Sequence, residues 1–262
     1  MGLKFGTLWF GNKHTILQEV SWNSYIHHGH ELNIYLYDMS IEVPEGAIKR
    51  DANEIIPEDG IFLPTFESKS FGEGHSQFSD IFRIYMLKKT DLIWTDSDVV
   101  CLTDSWPDPK PYLFGYMIDN PLPYEGPIRV NGDILYIDND DIINQMIKGF
   151  SDLPDNFVQD QTLIGPDLLT KVVSENNLYG FVKEESMFHP IRYGNADYFS
   201  RPDKYKETMD FISNSVTVAL YHSYWHRHKV FIPGIQNEPD KSTVIGYFTK
   251  KYIPKYSGLK TN

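Results

Sequence analysis

Four charged residues between Phe78 and Leu102 are spaced for work on a phosphorylated ligand. Asp80 and Arg83 are three apart, which on a helix puts them on one face and within reach of one ligand. Asp96 and Asp98 are two apart, so on a strand they share a face as well. A carboxylate pair at the exit of a strand, beside a guanidinium, suits a divalent metal that holds phosphates. Mn²⁺ and Mg²⁺ take hard oxygen ligands of this kind, one or two from carboxylates and the rest from the substrate. A nucleoside diphosphate leaves poorly until its developing charge is neutralised, and a metal bridging both phosphates supplies that neutralisation. Simpler readings stand beside this one. Asp80 and Arg83 can be an intrahelical ion pair of a few tenths of a kcal/mol, and Asp96-Ser97-Asp98 can be a solvated turn. A second Asp-x-Asp string, Asp138-Asn139-Asp140, precedes a helical pattern, where Asp140 and Asp141 read as capping residues.

The elements that must position these side chains alternate between strand and helix. Residues 4–10 read as a strand ended by Gly11-Asn12, and residues 14–27 have helical spacing, with Ile16, Val20 and Tyr25 inward and Gly29 as the stop. Residues 32–37 form the next strand, so the chain opens with a parallel pair and a crossover helix. Residues 40–71, with Pro44, Pro57 and Pro64, read as short turns and loops around a brief strand near Ile61. The helix over 79–88 carries Asp80 and Arg83, and the strand over 92–95 ends at Asp96. Three prolines make 106–111 a loop. Further strands are expected at 112–117 and 129–137, then a helix over 138–150 whose first turn is acidic, as the helix dipole favours. Gly165-Pro166-Asp167 begins another helix, with Pro166 where its missing N–H does no harm. Strands at 188–192 and 216–221 bracket a helix near 203–212. The tail over 247–260 mixes four lysines with Tyr247, Phe248, Tyr252 and Tyr256. It reads as a terminal helix, or else as a strip that touches an anionic membrane.

Composition sets the outer limits. With 262 residues, 41% hydrophobic and 15% aromatic, the chain can fill the core of one large α/β domain. One domain over residues 1–262 is expected, with a C-terminal extension from about residue 230. A net charge of -12 disfavours broad nucleic-acid binding, which needs a basic face, and no nucleic-acid partner is expected. A diphosphate still binds where a metal supplies local positive charge. The single cysteine, Cys101, excludes an intrachain disulfide and a thiolate zinc cluster, and after Val99-Val100 it reads as a small buried hydrophobe. No apolar run approaches the roughly 18 residues of a membrane span, and no apolar signal core opens the chain. A cytoplasmic protein is expected, at most peripheral to the inner face of a membrane.

The helix Phe78-Ser-Asp-x-x-Arg83 followed by Leu-Ile-Trp-Thr-Asp-Ser-Asp98 resembles the glycosyltransferases with a DxD sugar-binding region. These include the yeast-type initiating α-mannosyltransferases, the globoside α-galactosyltransferases and the clostridial glucosylating toxins. Gly6-Thr-Leu-Trp-Phe-Gly-Asn12 is similar to the opening strand of that family, Gly165-Pro166-Asp-Leu-Leu-Thr170 to its Gly-Pro helix start, and Ala219-Leu-Tyr-His-Ser-Tyr-Trp225 to its late His/Ser-x-Trp segment. The likeness spans about residues 3–226 and is specific over 78–102. The Ile-Pro that usually precedes the first strand is missing.

The resemblance implies a GT-A fold, a single α/β nucleotide-binding domain with a mostly parallel central sheet flanked by helices. It also implies metal-dependent transfer of a hexose with retention of configuration, in surface polysaccharide biosynthesis. The donor would be a uridine diphosphate hexose or guanosine diphosphate mannose, and the acceptor a glycan or lipid-linked sugar. Asp80, Arg83 and Asp98 would be catalytic. Trp9 would stack on the base, Asp80 would accept from sugar hydroxyls, and Arg83 would reach the sugar or diphosphate. Asp96 would meet the ribose or a water on the metal, with Asp98 a direct ligand of Mn²⁺ (or Mg²⁺) and His222 completing the shell. Ser223 and Trp225 would hold the β-phosphate by hydroxyl and indole N–H. By position alone Asn131 and Asp133 fall near the donor sugar, while Asp160-Gln161 reads as an exposed polar helix start or else as part of the acceptor side. A nucleotide-sugar binding protein without catalysis and a metal-dependent phosphohydrolase remain open.

Overall fold

The computed structural model describes residues 2–11, 13–60, 75–117, 129–152, 163–227 and 240–257. The chain opens as expected, with β1 (Lys4–Trp9), α1 (Ile16–His27) and β2 (Glu31–Leu36) forming a parallel βαβ unit in register from Lys4–Glu31 to Trp9–Leu36. Thr15 starts α1 with a capping box, its hydroxyl accepting from the helix backbone while Gln18 reaches back to the Thr15 N–H at 3.0 Å. Gly29, at φ 76°, lets the chain leave α1 and turn into β2. β3 (Ile48–Asp51) then adds in parallel to β2, in the stretch expected to be mostly loop, and Ile61 lies outside the described residues.

α2 (His75–Lys89) leads into β4 (Ile93–Thr95), which returns to the other side of β1. β5 (Val99–Cys101) leaves this sheet, and β6 (Tyr112–Met117) and β7 (Arg129–Ile137) rejoin it as an antiparallel pair. After α3 (Asp140–Ser151) and α4 (Leu168–Glu175), the short β8 (Val182–Lys183) pairs in parallel with β6. α5 (Glu185–Phe188) and α6 (Tyr205–Ile212) precede β9 (Thr217–Ala219), and α7 (His222–Arg227), α8 (Val244–Tyr252) and α9 (Pro254–Ser257) follow. Among the described residues the main sheet has the order β3-β2-β1-β4-β7-β6-β8, and only the β4–β7 and β7–β6 neighbours are antiparallel. The chain turns one way from β1 to β2 and the other way to β4. The carboxyl ends of β1 and β4 therefore flank a topological switch point, where open α/β sheets bind ligands.

Two apolar clusters hold these layers. Phe5, Ile34, Phe82, Trp94, Leu113 and Ile134 lie within the larger one, around the main sheet. Leu17, Val100, Val218, Trp225 and Phe248 lie in the second, which packs α1 and α8 around the β5–β9 pair. The aromatic residues of the C-terminal stretch thus help to build a core: Phe248 is 1% exposed and Tyr252 3%. The terminal helix expected for this stretch is α8, over Val244–Tyr252, and its burial takes the apolar half of the alternative membrane strip out of reach. Among the described residues no helix is long and apolar enough to cross a membrane.

Two expectations fail for local reasons. Residues 188–192 do not form a strand; Phe188 closes α5, and Pro190, lacking an N–H, cannot serve a central ladder. The cap of α3 is Asn139, whose side chain accepts from the N–H groups of Asp141 and Ile142, while Asp140 and Asp141 sit in the first turn.

β5 carries the backbone that follows Asp98, and among the described residues only one of its edges has a strand partner, β9. Buried serines of α1 serve the other edge. Ser21 Oγ donates to the Val99 carbonyl at 2.6 Å, and Ser24 Oγ accepts from the Cys101 N–H at 2.8 Å. Ser24→Ala orphans a buried donor, which costs about 1–3 kcal/mol. Urea unfolding should show that loss in the midpoint with an unchanged slope.

Candidate active site at the exit of β4

Helix α2 brings Asp80 and Arg83 inward, where they are 9% and 7% exposed. Arg83 Nη2 lies 3.0 Å from Asp80 Oδ1 and 3.2 Å from Asp96 Oδ1, so the helix pair expected from spacing becomes a clamp that includes the DxD. Trp94 supports it from below: its ring centroid is 5.2 Å from the guanidinium carbon, and its indole N–H donates to Asp96 Oδ1 at 2.7 Å. The cation lies over a π-face while its partner carboxylate is held by that ring's edge. Space is tight enough to require two glycines. A Cβ at position 132 would stand 2.5 Å from Arg83 Nη1, and one at position 165 would stand 2.5 Å from Asp80 Oδ2. The Gly165-Pro166 turn therefore forms the wall against which Asp80 rests.

Asp98 is tied to a segment far along the chain. Its carbonyl accepts from the Leu220 N–H at 2.8 Å, and its Oδ2 accepts from the His222 N–H at 2.7 Å. The link between these two donors is Tyr221, at φ 55°. This left-handed backbone is an outlier for a bulky residue and is kept only where surroundings enforce it. Its hydroxyl, donating to the Ile191 carbonyl at 2.6 Å, is one such restraint. The His222 ring then lies 6.0 Å from that of Trp9, at the end of β1. Trp9, Asp98 and His222 are thereby gathered beside the switch point. Ser223 is exposed in the first turn of α7. Trp225 departs from its expected role. It is 1% exposed in the second core, and its indole N–H donates to the Leu220 carbonyl at 2.7 Å, so it stabilises the turn and has no N–H left for a phosphate.

Strand β7 completes the site through an irregularity. Its pairing with β6 jumps from Leu113–Tyr136 to Gly115–Asn131, leaving a bulge over residues 132–135. Bulges re-aim side chains next to active sites. This one puts Gly132 beside Arg83 and turns Asp133 onto His189, with His189 Nε2 2.5 Å from Asp133 Oδ2. Asn131 Nδ2 lies 3.1 Å from the same nitrogen. The Asp133 carbonyl accepts from the Asp96 N–H at 2.8 Å, which joins this trio to the DxD. His189 carries no signal in the sequence: reading 188–192 as a strand hid it, and only the bulge brings it to Asp133. Asp160 and Gln161 lie outside the described residues.

The site is rich in carboxylates and short of cations. Burial pushes the Asp80 carboxyl up to about 7; Arg83 opposes this and Asp96 adds to it. Asp98 is also pushed up to about 7, first by enclosure and then by Asp96, against the His222 N–H. Asp96 is raised by burial, with Arg83 opposing and Asp133 adding. For Arg83, burial disfavours the charge, but Asp96 and Asp80 outweigh it and hold the guanidinium above its ordinary range. Burial likewise acts to lower His189, yet Asp133 dominates and holds the imidazole above its ordinary value. Among the described residues no group of three or more His, Cys, Asp and Glu side chains is gathered as a metal cage. The donor chemistry fits a cation best at Asp98, a hard oxygen ligand whose charge is raised in energy and which makes no ion pair among the described residues. Asp96 is partly committed through Oδ1 to Arg83 and Trp94.

No family model matches the chain, and no curated protein matches it in sequence. Solved structures do share its architecture. One is titled PaToxG Glycosyltransferase, at 16% identity over 69% of this chain and 76% of that one, with a TM-score of 0.43. Another is the apo-form glycosyltransferase GlyE of Streptococcus pneumoniae TIGR4, at 13% identity and a TM-score of 0.50. That match covers 97% of this chain and 61% of GlyE. The first is too loose to argue from. The second is a likeness of fold, and it agrees with the mixed α/β architecture described above.

Two measurements check this geometry. Asp98 keeps its proton in the folded chain up to about pH 7, whereas an ordinary carboxyl of 3.8 loses it. Its contribution to stability is therefore full below about pH 4 and is lost as pH rises towards 7. In metal-free protein, Asp98→Asn should gain on wild type across that window in urea midpoints, and a constant difference would refute the raised carboxyl. Gly165→Ala should force Asp80 or the turn aside, an overpacking cost of about 1–3 kcal/mol seen as a lower Tm.

Proposed function

We propose that the chain is a metal-dependent glycosyltransferase that moves a hexose from a nucleoside diphosphate donor to a sugar hydroxyl. The observation that carries this reading is the Asp80–Arg83–Asp96 clamp at the switch point, with Asp98 fastened beside it to the His222 backbone. A buried guanidinium surrounded by acceptor-only carboxylates offers charge for a diphosphate and acceptors for sugar hydroxyls.

Trp9, half-buried at the end of β1, stacks on the base. Asp80 accepts from hydroxyls of the donor sugar, and Asn131 approaches that sugar from β7. Arg83 meets the sugar or diphosphate, and the exposed Ser223 hydroxyl meets the β-phosphate. Asp98 holds Mn²⁺ or Mg²⁺, with Asp96 and His222 nearest to complete the shell. When bound, the ion supplies Lewis-acid neutralisation of the diphosphate. Transfer with retention then asks little of a protein nucleophile. The acceptor hydroxyl attacks the anomeric carbon on the face from which the diphosphate departs, and its proton passes to the leaving phosphate oxygen. A new C–O bond forms as the bond to phosphate breaks, and Arg83 stabilises the charge released. A uridine diphosphate hexose is the donor class we favour over guanosine diphosphate mannose, with a glycan or lipid-linked sugar of surface polysaccharide synthesis as acceptor.

Thermal shift with UDP-glucose, UDP-galactose and GDP-mannose, each with and without Mn²⁺, should show stabilisation by one donor that depends on the metal. With that donor, chromatography should detect free sugar and nucleoside diphosphate, not inorganic phosphate, which separates transfer chemistry from phosphohydrolysis. Asp98→Ala should lower this turnover by about 10²-fold or more at an unchanged fold. Turnover equal to wild type would remove the metal assignment.

A further inference from the structure

Helix α8 carries a lysine whose charge nothing around it answers. Lys251 is half-buried, and among the described residues its ammonium makes no ion pair and no hydrogen bond. It lies 4.8 Å from the centroid of the Tyr252 ring, whose hydroxyl is itself buried without a partner. A π-face offsets part of the cost of leaving water but supplies no counter-charge. Enclosure lowers the affinity of this lysine for its proton, with Cys101 opposing. A cation drawn part-way into a protein without an anion is an incomplete arrangement.

Lys251 lines a cleft of about 490 Å³ between α8, the end of α6 and the segment that follows β5. Sites for small molecules span roughly 300–1,000 Å³. Leu102, Val216 and Phe248 form an apolar wall, and Thr103, Ser105 and Asn214 add polar side chains. The Thr103 hydroxyl accepts from the Ser105 N–H at 3.1 Å. Among the described residues neither hydroxyl donates a hydrogen bond, and neither does the Asn214 amide. No Asp or Glu lines the cleft among the described residues, in a chain with 36 acidic residues and a net charge of -12. The acids adjacent in sequence act elsewhere. Asp210 accepts from the Lys206 ammonium at 2.6 Å, and Asp104 raises the charge on His28 and His30. A cation with spare donors and no carboxylate selects an anion rich in acceptor oxygens. A phosphomonoester brings three such oxygens and close to two negative charges at neutral pH.

This cleft is separate from the switch point. β5 and β9 pair antiparallel, from Val99–Ala219 to Cys101–Thr217. Asp98 and the turn over 220–222 lie at one end of the pair. Leu102 and Val216 lie at the other, where the Leu102 N–H donates to the Val216 carbonyl at 2.9 Å. The two ends are about 13 Å apart along the strand. We propose that the cleft binds the phosphoryl group of a small phosphomonoester, with Lys251 as its counter-charge and the body of the ligand against Leu102, Val216 and Phe248. It is a second ligand site, and it stands or falls independently of the transfer proposed above.

Phenyl phosphate and inorganic phosphate are the probes, titrated into the intact metal-free chain and followed by calorimetry and backbone amide NMR shifts. Phenyl phosphate should bind about tenfold more tightly than inorganic phosphate, because its ring covers the apolar wall. The shifts should centre on Thr103, Asn214 and Lys251 and leave Arg83 and His222 unmoved. Lys251→Met keeps the apolar stem and removes the charge, and it should weaken phenyl phosphate about tenfold or more. Failure to saturate below about 10 mM, shifts centred on Arg83 and His222, or equal affinity in Lys251→Met would each overturn the site. Inorganic phosphate that binds as tightly as phenyl phosphate overturns the role given to the apolar wall. Should circular dichroism show Lys251→Met unfolded, Asn214→Ala decides, since it alters an exposed residue beyond α6. A loss of about threefold there supports the site, and no loss overturns it.

Discussion

The contact between the Arg83 guanidinium and two carboxylates, Asp80 on its own helix and Asp96 at the end of β4, is the constraint around which the site is arranged. A buried cation must be paired, since leaving one charge of a buried set without its partner costs several kcal/mol. Pairing Arg83 with Asp96 fixes α2 against the exit of β4. It forces Gly132 and Gly165 to be glycines, and it places Trp94 beneath the cation with its N–H on Asp96. Strand, helix, bulge and Gly-Pro turn are thus registered to one another by one guanidinium. That guanidinium faces more carboxylates than it can neutralise, and the proposed cation site rests on this surplus.

The same economy appears in the way Asp98 is held. β5 is only three residues long, yet it is bonded on one edge by β9 and on the other by Ser21 and Ser24 of α1. α1 is itself pressed from outside by α8, so the C-terminal helix reaches the site through two layers of packing. The left-handed Tyr221 is the point where this packing is converted into geometry, since it aims the His222 N–H at the Asp98 carboxylate. Backbone strain of about 1–3 kcal/mol is tolerable there because the surrounding cores over-determine the turn. The proposed chemistry needs what such a frame provides: fixed charges that do not reorganise as a diphosphate departs.

Much of this was legible in the sequence where a residue's environment is set by near neighbours. The βαβ opening, the helix that carries Asp80 and Arg83, and the strands over 112–117 and 129–137 follow from periodicity and from glycine and proline punctuation. The illegible features arise where the folded chain, and not the periodic pattern, chooses a group's partner. The resemblance makes Trp225 a hydrogen-bond donor to the β-phosphate, but its N–H is taken by the Leu220 carbonyl once the turn at Tyr221 forms. His189 looked like part of a strand, because a single chain cannot show that a bulge on β7 waits to receive it. The tail read as a terminal helix or as a membrane-touching strip, and it is the groove made by α1 and the β5–β9 pair that buries the helix.

The sequence by itself determined the alternation of strands and helices, the pairing of Asp80 with Arg83, and the delivery of Asp96 and Asp98 to a strand exit. These are consequences of 3.6- and 2-residue periods, which local covalent geometry enforces. Only the tertiary structure decided that Arg83 would join Asp80 to Asp96, that Asp98 would be met by the His222 backbone, and that Asp133 would find His189. Each of these is a choice among polar partners, and burial makes the choice: away from water a polar group must be satisfied by whatever the packed core brings within about 3 Å.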